Sequence, residues 1–586
     1  MPPKHFFDDA VHLVDTALRS LTLTNPSLKY DADHKIIYRQ HSEELESIVS
    51  IVSGGGSGHE PGFAGFVGKG FLTASAAGSI FASPSAAQVR RAIDHVPTSK
   101  GVLVITMNYT GDVLHFGMAT EQAKAAGTNA QFFAIGDDVA VGRAKGGKVG
   151  RRGIAGGILV LKLCGALAEL GGSLSEVYSL AQHVTSNLVS VGASLECVHV
   201  PGRANPPETH SAGIEIGMGI HNEPGNQHIE ATLPELVQMM IRQLLSPEDT
   251  DRHYVHITEN DQVILLINNL GGVSMLELAG IVHEVCTQLK DFGLVLVRVI
   301  SGTFLTSLNG MGFSISLLKL ADTGLGDGKS LVELLDFPAE AVGWAAPIQR
   351  STWDTGMTTK TQAVAPVTKT AKQIRESTLT WGPEFASKVL RAGLTQLIAA
   401  EEEVTRLDTI VGDGDCGIGL KRGAEAVLQI LSSLPTDAVA SVQNIASVVE
   451  KSMDGTSGAI YSIFLSSLAH SLRELDEGPA KQVVDSKHWS IALQSSLTAL
   501  NKYTPAVPGD RTLMDALVPF IDTLSSSGDI KKAAKAARDG AERTKFMQAS
   551  LGRAVYVCGE GQWVGKIPDP GAWGLQEFLN GLASEF

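Results

Sequence analysis

Three aspartates close together in the second half of the chain could bind a divalent cation. Asp408, Asp413 and Asp415 lie within eight residues in the segment LDTIVGDGDCG. The intervening glycines let the backbone turn sharply, so the three carboxylates can converge on one point. Converging carboxylates repel one another unless a hard cation lies between them, and oxygen ligands suit Mg²⁺ or Ca²⁺. An acidic surface turn is the simpler alternative, but we interpret the acids as metal ligands that in turn hold the phosphates of a nucleotide.

Two more loops in this region carry groups that could bind phosphate. The stretch DGTSGA opens a predicted helix, so its backbone N–H groups and the hydroxyls of Thr456 and Ser457 could bind phosphate at a helix N-terminus. A capped glycine turn is the simpler explanation of this loop. The stretch PGDRT also precedes a predicted helix and offers the guanidinium of Arg511. The sequence has no Walker A motif, so a nucleotide site here would depend on metal-bridged carboxylates.

Two loops in the first half of the chain follow predicted strands and carry acid–base groups. GGGSGHEP contains His59, and its four glycines let a small ligand approach the backbone closely. NYTGD follows the next recognisable strand and ends in Asp112. A histidine and an aspartate on loops of one sheet edge form a natural acid–base pair, although a tight turn with a helix cap would explain either loop alone. His221 follows the glycine-rich stretch EIGMGI, and a lone histidine more often has a structural role.

These residues must be positioned by an α/β part followed by a helical part. Continuous apolar runs predict strands covered on both faces, with ligands at the loops after the strand ends. These runs are 47–53, 101–106, 131–135, 263–268 and 294–300. A break between the run ending near Leu195 and a Pro/Asn-rich stretch at 201–207 indicates two α/β subdomains.

The pattern changes in the last third of the chain. Between Phe337 and Lys372 no apolar period repeats, which is typical of a linker. Apolar residues then recur at helical spacing after Pro383, and strand-like runs are nearly absent until 554–557. The sequence therefore predicts an all-α C-terminal domain.

Composition and charge limit the function classes. The chain has 586 residues, a formal net charge of −15 and no conspicuous Lys/Arg run, which argues against nucleic acid and membrane surfaces as partners. Five separated cysteines without a C-x-x-C motif favour a reducing compartment. The N-terminal residues carry acids where a signal peptide needs an apolar stretch, and the longest apolar runs are too short to span a bilayer. We expect a cytoplasmic protein.

Taken together, the motifs closely resemble the single-chain dihydroxyacetone kinases, also called triokinases, in which a triose-binding part and a nucleotide-binding part are fused. The resemblance runs through GGGSGHEP, NYTGD, GRRGIAG, EIGMGIH, LDTIVGDGDCG, GTSGAIY, PGDRT and DPGA, in this order. It implies two N-terminal α/β subdomains and an all-α C-terminal barrel of eight helices. We therefore predict a first α/β subdomain at 1–195, a second at 196–340, a linker at 341–375 and a helical nucleotide-binding domain at 376–586.

For the triose, the resemblance implies ATP-dependent phosphorylation of dihydroxyacetone, and of glyceraldehyde as well. His221 matches the histidine that adds to the substrate carbonyl and forms a covalent hemiaminal, which lets the enzyme distinguish a ketose from glycerol. Asp112 matches the base beside the reacting hydroxyl. His59 can assist that proton transfer and belongs to the substrate loop together with Gly56, Ser57 and Gly58.

For the nucleotide, Asp408, Asp413 and Asp415 match three carboxylates that hold two Mg²⁺ ions on the phosphates of ATP, the co-substrate. The remaining matches to the nucleotide-binding stretches are Asp415, Cys416, Gly417, Ile418, Thr456, Ser457, Arg511, Asp569, Pro570 and Gly571. A homodimer, with helical domains serving their own or the neighbouring subunit, is also implied.

Two positions depart from the family's pattern. Met107 stands where the family commonly has a lysine that can donate to the substrate, which predicts lower triose affinity unless another cation substitutes. Ile418 and Gly419 replace residues that often offer hydroxyls to phosphate, so only backbone groups remain there. Neither change touches the predicted nucleophile or metal ligands, and we still predict an active kinase.

Three other functions remain open at this point. A lyase that splits FAD into AMP and a cyclic flavin phosphate would need the helical domain and a divalent ion but not His221. A phosphotransferase with a phosphoprotein donor is less favoured, because fusing the two domains gives them a high effective concentration. A catalytically silent triose-binding regulator would have no need of metal-bridged carboxylates.

Overall fold

The structure is a computed structural model of the 586-residue chain. It describes residues 6–7, 9–201, 213–345, 348, 350–353, 376–412, 414–453, 455–476, 478, 480–551 and 563–586. The chain divides into two compact units, Met1–Ala363 and Val364–Phe586. Among the described residues, no helix combines the length and the apolar character needed to cross a membrane.

The first sheet of the first unit carries two of the predicted site loops. Its six strands are β1 (Leu28–Asp31), β2 (Ile36–Arg39), β3 (Ser50–Ser57), β4 (Ala74–Ile80), β5 (Val102–Met107) and β6 (Ala130–Ile135). They lie in the order β1-β2-β4-β3-β5-β6, and β3 pairs in parallel with both β4 and β5. All eight residues of β3 are buried, as expected for a central strand covered on both faces.

The second sheet is mainly antiparallel. Its strands are β7 (Leu188–Ser194), β8 (Ile214–Ile216), β9 (Gln227–Ile229), β10 (Gln262–Asn269), β11 (Val295–Gly302) and β12 (Gly312–Lys319), in the order β11-β10-β12-β7-β8-β9. Among the described strands of this sheet, only β10 and β11 pair in parallel. Because β7 pairs with β12, the second sheet already begins at Leu188, before the predicted subdomain boundary at 195.

Ten helices are described in residues 1–336 of the first unit. They are α1 (Ala10–Thr24), α2 (Glu43–Glu46), α3 (Ala86–Asp94), α4 (Thr110–Ala125), α5 (Arg143–Gly146), α6 (Gly157–Glu169), α7 (Leu174–Ser186), α8 (Leu233–Leu245), α9 (Met275–Asp291) and α10 (Leu331–Asp336). A short 3₁₀ turn spans Ala64–Phe66.

The two sheets share one hydrophobic core that contains α6. Twelve of the thirteen residues of α6 are buried, as expected for a helix that is apolar on every side. Alternate residues of each strand face opposite layers: Ile264 and Leu266 of β10 join the shared core, whereas Val263 and Leu265 pack in the core that contains α8 and α9. The two sheets are therefore held in one unit.

The second unit is built from helices. Those described are α11 (Pro383–Ala399), α12 (Glu401–Val411), α13 (Cys416–Ile430), α14 (Ala438–Ser452), α15 (Gly455–Glu474), α16 (Ser486–Leu500), α17 (Met514–Ser527), α18 (Ile530–Arg543) and α19 (Pro570–Ala583), with 3₁₀ turns at Leu431–Ser433 and Thr544–Phe546. Pro383 opens α11 as predicted.

Eight of these helices close into a ring. In the order α11, α19, α18, α17, α16, α15, α14, α13 each packs against the next, and α13 packs against α11, while α12 connects α11 to α13. The ring surrounds a cavity of about 620 Å³ lined mainly by apolar side chains such as Leu390, Phe464 and Phe520. The eight-helix barrel is thereby confirmed. Two short strands, β13 (Leu379–Thr380) and β14 (Gln482–Val483), are an exception to the all-α prediction, and the predicted strand at 554–557 lies outside the described residues.

The predicted linker at 341–375 begins inside the first unit. Trp344 packs against Phe71 and Phe304, and the Gly343 N–H donates to the Gly65 carbonyl at 2.8 Å. Residues 354–375 lie outside the described residues.

Candidate active site

His59 and Asp112 are positioned by neighbouring parallel strands. β3 ends at Ser57, two residues before His59, and β5 ends at Met107, five residues before Asp112. Because β3 and β5 run in parallel, their carboxyl ends lie at the same edge of the first sheet. Asp112 itself lies in the first turn of α4. The structure therefore brings both predicted loops to one edge, as the sequence indicated.

The ring of His59 is fixed by a loop of the second sheet. Its Nδ1 lies 2.8 Å from the carbonyl oxygen of Thr306, in the loop after β11. Since that oxygen can only accept, His59 Nδ1 carries the hydrogen and Nε2 faces the site. Burial, followed by the charge of His221, lowers the pKa of His59 to about 3, so this ring is neutral at physiological pH.

His221 reaches the same point from the second sheet. It lies in the loop after β8, and its Nε2 is 3.0 Å from Nε2 of His59. Its Nδ1 lies 2.9 Å from a carboxylate oxygen of Glu223. Although burial alone would raise the pKa of Glu223, its hydrogen bond to His221 and the nearby charges lower that pKa to about 2. His221 therefore lies beside His59 and is not an isolated histidine.

Aromatic rings surround the two histidines. Tyr109 and Phe81 meet the ring of His221 edge-on, with centroids 4.8 and 5.4 Å away. Phe81 also stacks on His59 at 5.2 Å. The phenol oxygen of Tyr109 is buried and has no hydrogen-bond partner in the described part of the chain. Tyr109 therefore contacts His221 through its ring, and its hydroxyl is an orphaned polar group.

Asp112 provides a second orphaned group. Its Oδ1 is buried without a hydrogen-bond partner among the described residues. Burial raises the pKa of this carboxyl to about 6, against the opposing effects of Ser83 and of the charge of His221. Asp112 is therefore close enough to His221 to interact electrostatically with it.

The predicted glycine-rich substrate loop belongs to the end of β3. Gly56 lies at an irregularity in the pairing of β3 with β4. The Ser57 hydroxyl donates to the carbonyl of Gly78 at 2.8 Å. The Gly58 N–H donates to Glu60, while its carbonyl accepts from the Leu308 N–H at 2.7 Å. Ser57 thus has a structural partner, and the loop is anchored to both sheets.

Met107 is buried at the end of β5. A methyl group added to Gly153 or Gly157 would lie 2.8 or 2.7 Å from the Met107 sulfur, so this side chain packs closely against the glycines that precede and open α6. Met107 belongs to the core shared by both sheets. The lower triose affinity expected from the loss of a lysine here stays a prediction.

In the second unit, Asp408 and Asp415 lie on either side of a sharp turn. Asp408 is in the last turn of α12, and its Oδ2 accepts from the Cys416 N–H at 3.0 Å. Asp415 occupies the N-cap position of α13, but its side chain accepts no cap hydrogen bond, so its carboxylate remains available for a ligand. Asp413 lies outside the described residues. Without it, no group of three or more metal-ligating side chains is found in the described segments.

Three helix N-termini come together beside these acids. Cys416 opens α13, and its sulfur lies 4.0 Å from the hydroxyl of Ser457 in the first turn of α15. Burial, followed by the negative charges of Asp408, Asp569 and Asp415, raises the pKa of the Cys416 thiol to about 12. Asp569 is the N-cap of α19 and accepts from the Ala572 N–H at 2.8 Å. Converging N-termini favour an anion, and the carboxylates among them favour a cation, as a metal–polyphosphate requires.

The other predicted nucleotide residues lie at these same helix starts. Gly417 is buried in the first turn of α13, whereas the side chain of Ile418 in the same turn is 53% exposed to solvent. Thr456 is exposed in the first turn of α15. Pro570 and Gly571 open α19 after the Asp569 cap. These residues therefore lie in the first turns of three helices, where backbone N–H groups can bind an anion, except at Pro570, which has no N–H.

Arg511 is buried more deeply than a surface phosphate ligand would be. It is 1% exposed, donates to the carbonyl of Ile567 at 2.9 Å and lies over the ring of Trp563 at 4.5 Å. Its Nε and Nη1 have no hydrogen-bond partner among the described residues. Ile567 directly precedes the turn that contains Asp569. Arg511 therefore supports that turn, and two of its donor groups remain unused.

Comparisons with known proteins agree with this two-part arrangement. A family model described as the Dak1 domain matches residues 19–343, and one described as the DAK2 domain matches residues 410–584. Dihydroxyacetone kinase from Komagataella pastoris is 42% identical over 100% of this chain and 99% of its own. The chain belongs to the dihydroxyacetone kinase family. Both domains of that family are present in one polypeptide.

Other members of the dihydroxyacetone kinase family are similarly close over their full lengths. Human triokinase/FMN cyclase is 36% identical over 99% of both chains. The crystal structure of the dihydroxyacetone kinase of C. freundii in complex with AMP-PNP and Mg²⁺ is 30% identical, with a TM-score of 0.63 and complete coverage of both chains.

Sequence reasoning missed several residues that hold this family's site together. Tyr109 lies inside the quoted motif NYTGD, and Glu223 follows the quoted motif EIGMGIH by two residues, so their sequence positions near Asp112 and His221 were available signals. Thr306 was not predictable, because it follows His59 by 247 residues and meets it only through the packing of the second sheet.

Proposed function

We propose that the chain is an ATP-dependent dihydroxyacetone kinase that holds its substrate as a hemiaminal on His221. The contact between the two Nε2 atoms of His59 and His221, at 3.0 Å, carries this proposal. This contact supports a nucleophile and a proton donor acting together on one substrate, with Asp112 close enough to His221 for an electrostatic interaction. The names of the relatives point to the same reaction class.

In the reactive form that we propose, one extra proton lies between the Nε2 atoms of the two rings. Each Nδ1 faces an atom that can only accept, the Thr306 carbonyl or the Glu223 carboxylate, so each Nδ1 carries its own hydrogen. If both rings were neutral, two lone pairs would face each other at 3.0 Å. One shared proton converts this repulsion into an N–H···N hydrogen bond and leaves one positive charge on the pair.

That shared proton balances adduct formation. The Nε2 lone pair of His221 forms a bond to the carbonyl carbon, and the C=O π pair moves to the oxygen. The shared proton passes through His59 to this oxygen, giving a hydroxyl group. His221 keeps its Nδ1 hydrogen and becomes an imidazolium, so the charge of the pair is unchanged. Glycerol has no carbonyl and cannot be held this way.

Asp112 has the role of the base for the reacting hydroxyl. Its Oδ1 lacks a partner, and its elevated pKa makes it a stronger proton acceptor than an exposed carboxylate. It accepts the hydroxyl proton as that oxygen bonds to the terminal phosphorus of ATP, and the bond from this phosphorus to the bridging oxygen breaks to release ADP. The glycine-rich loop with Gly56 and Gly58 brings backbone close to the bound triose.

The nucleotide is assigned to the second unit. Asp408 and Asp415, with Asp413, have the donor chemistry for Mg²⁺, and the resemblance supports two such ions per site. When bound, Mg²⁺ neutralises charge on the phosphates and on the transferred group. The N-termini of α13, α15 and α19 bind phosphate oxygens, and Arg511 fixes the Asp569 turn.

The decisive assay measures ADP release with ATP and Mg²⁺, with dihydroxyacetone and glycerol in parallel. We expect release with the ketone only, a mass increase of one triose on the wild-type chain, and loss of both in His221→Ala. Asp408→Ala should lose phosphorylation but retain the adduct. No release from folded, ATP-binding protein would contradict the proposal.

FAD cyclisation is the second candidate, since relatives from cattle, human and mouse are named triokinase/FMN cyclase. The same variants separate the two reactions. FAD cleavage should survive His221→Ala and disappear in Asp408→Ala.

A further inference from the structure

The carboxylate of Glu223 contacts His221 twice. One oxygen lies 2.9 Å from Nδ1 of the ring, and the other accepts the backbone N–H of the same residue at 3.0 Å. The turn brings these groups together, because the Gly219 N–H donates to the Glu223 carbonyl at 2.9 Å. The carboxylate of Glu223 thus forms hydrogen bonds with both the backbone and the ring of His221.

The rest of this turn is fixed independently of Glu223. Asn222 exchanges two hydrogen bonds with the backbone of Val198, at 2.9 and 3.1 Å. The Ser307 hydroxyl donates to the Ile220 carbonyl at 2.7 Å. The backbone of the turn is therefore anchored on both sides, and Nδ1 of the His221 ring has Glu223 as its hydrogen-bond partner among the described residues.

The guanidinium of Arg152 lies close to the carboxylate of Glu223. This guanidinium donates to Asp138 at 2.7 Å and to the Gly217 carbonyl at 2.8 Å. A methyl group added to Gly219 would lie 2.0 Å from a carboxylate oxygen of Glu223 and 2.6 Å from Nη1 of Arg152. The two side-chain tips therefore meet over Gly219, which has to lack a side chain for both to fit.

We propose that Glu223 is a positioning residue that holds His221 in the Nδ1–H tautomer and stabilises its imidazolium adduct. This inference rests on the proposed hemiaminal reaction. With Nδ1–H donated to the carboxylate, the Nε2 lone pair is the one that forms the bond to the carbonyl carbon. The Nδ1 hydrogen stays in place during that step. The cation that forms on the ring is then 2.9 Å from a fixed negative charge.

The test compares Glu223→Ala with Glu223→Gln in the full chain. Glutamine can still accept from Nδ1 but carries no charge, whereas alanine removes both interactions. We expect kcat/KM for dihydroxyacetone to fall about 100-fold or more in the alanine variant and about 10-fold in the glutamine variant. The KM for ATP should not change in either. Glu235→Gln, at an exposed cap of α8, is the matched control and should behave like wild type.

The tautomer itself can be read without activity. ¹⁵N NMR of histidine-labelled, substrate-free protein should show Nδ1 of His221 protonated in wild type and Glu223→Gln, and a mixture of Nδ1–H and Nε2–H forms in Glu223→Ala. An unchanged tautomer in Glu223→Ala, with kcat/KM within two-fold of wild type, would overturn the inference. If instead no triose adduct forms on wild type, the hemiaminal proposal fails while the tautomer measurement still reports on Glu223.

Gly219→Ala provides a second route if Glu223→Ala does not fold. Its methyl group meets only the ends of two flexible side chains, so the turn should form while the Glu223 carboxylate is pushed away from His221. We expect the same tautomer mixture and a comparable loss of kcat/KM. Normal tautomer and kinetics in a folded Gly219→Ala variant would also overturn the inference.

Discussion

At the residue scale, Asp112 combines burial with an unused oxygen. It is 7% exposed at the start of α4, and its Oδ1 has no hydrogen-bond partner among the described residues. Burial raises its pKa to about 6, whereas the ordinary value is 3.8. This shift places the loss of its proton between acidic and neutral pH, where it can be measured.

We expect kcat/KM for dihydroxyacetone to fall as the pH drops below about 6, because a protonated Asp112 cannot accept the hydroxyl proton. Asp112→Asn should lower kcat about 100- to 1,000-fold and remove this acid limb. The measurement is the pH profile of ADP release between pH 5 and 8. This range extends from about one unit below the pKa of Asp112 to about two units above it.

The same shift affects stability with a defined sign. Between pH 3.8 and about 6 the folded state binds more protons at Asp112 than the unfolded state, so the free energy of unfolding falls as the pH rises. The free energy of unfolding of Asp112→Asn should therefore exceed that of wild type by about 1–3 kcal/mol at pH 7 and by nothing near pH 4.

The matched control is Asp137, because burial also raises the pKa of its carboxyl to about 6. Asp137→Asn should show the same gain in stability, but its kcat/KM should still fall below about pH 6. If Asp137→Asn instead lost this fall in kcat/KM, Asp112 would not be the group that causes it.

At the element scale, the pairing of β3 with β4 determines where His59 lies. Gly54 pairs with Ala76, and its φ of +152° is one that side chains rarely allow. A methyl group there would lie 2.1 Å from the Ala76 carbonyl oxygen, which belongs to the backbone and cannot move aside. β3 and β4 can therefore approach each other only with glycine at this position.

Gly54→Ala should destabilise the first unit by roughly 2–5 kcal/mol, combining backbone strain with overpacking. Gly117→Ala in α4 is the control, because an added methyl group meets no atom within 4 Å. It should stabilise by about 0.5–1 kcal/mol through helix propensity. Denaturant unfolding checks both, and equal effects of the two substitutions would show that β3 and β4 do not pack as described.

The sequence predicted elements whose signal is local. The sequence predicted five strands and the start of one helix: β3, β5, β6, β10 and β11, and the start of α11 at Pro383. Strands buried on both faces and amphipathic helices can be recognised from the apolar pattern of neighbouring residues. Antiparallel β12 was not predicted, since its place between β10 and β7 depends on packing between distant segments. The same applies to the site: His59 and Asp112 were paired from adjacent loops, whereas Thr306 approaches His59 only after both sheets have packed.

At the scale of the whole molecule, each unit has its own hydrophobic cores and its own candidate site. The first holds His59, His221 and Asp112, and the second holds Asp408 and Asp415. For the proposed kinase, joining the two units in one chain would keep the phosphate donor and the acceptor at high effective concentration. The swapped homodimer and the cytoplasmic location stay predictions.

This division predicts separate ligand responses in amide hydrogen exchange of the full chain. Dihydroxyacetone should slow exchange in the loops that follow β3 and β8, and ATP with Mg²⁺ should slow it at the starts of α13 and α19. At a ligand concentration of about 100 Kd, amides that exchange through opening of the site should slow up to about 100-fold.

Two variants make the assignment decisive. His221→Ala should lose the triose response and keep the nucleotide response, because removing the imidazole removes the covalent anchor without changing the second unit. Asp408→Asn should do the reverse, because a neutral amide is a poor substitute for a carboxylate ligand of Mg²⁺. A triose response that persists in His221→Ala, or that appears around α13, would mean that dihydroxyacetone is held elsewhere than on the paired histidines.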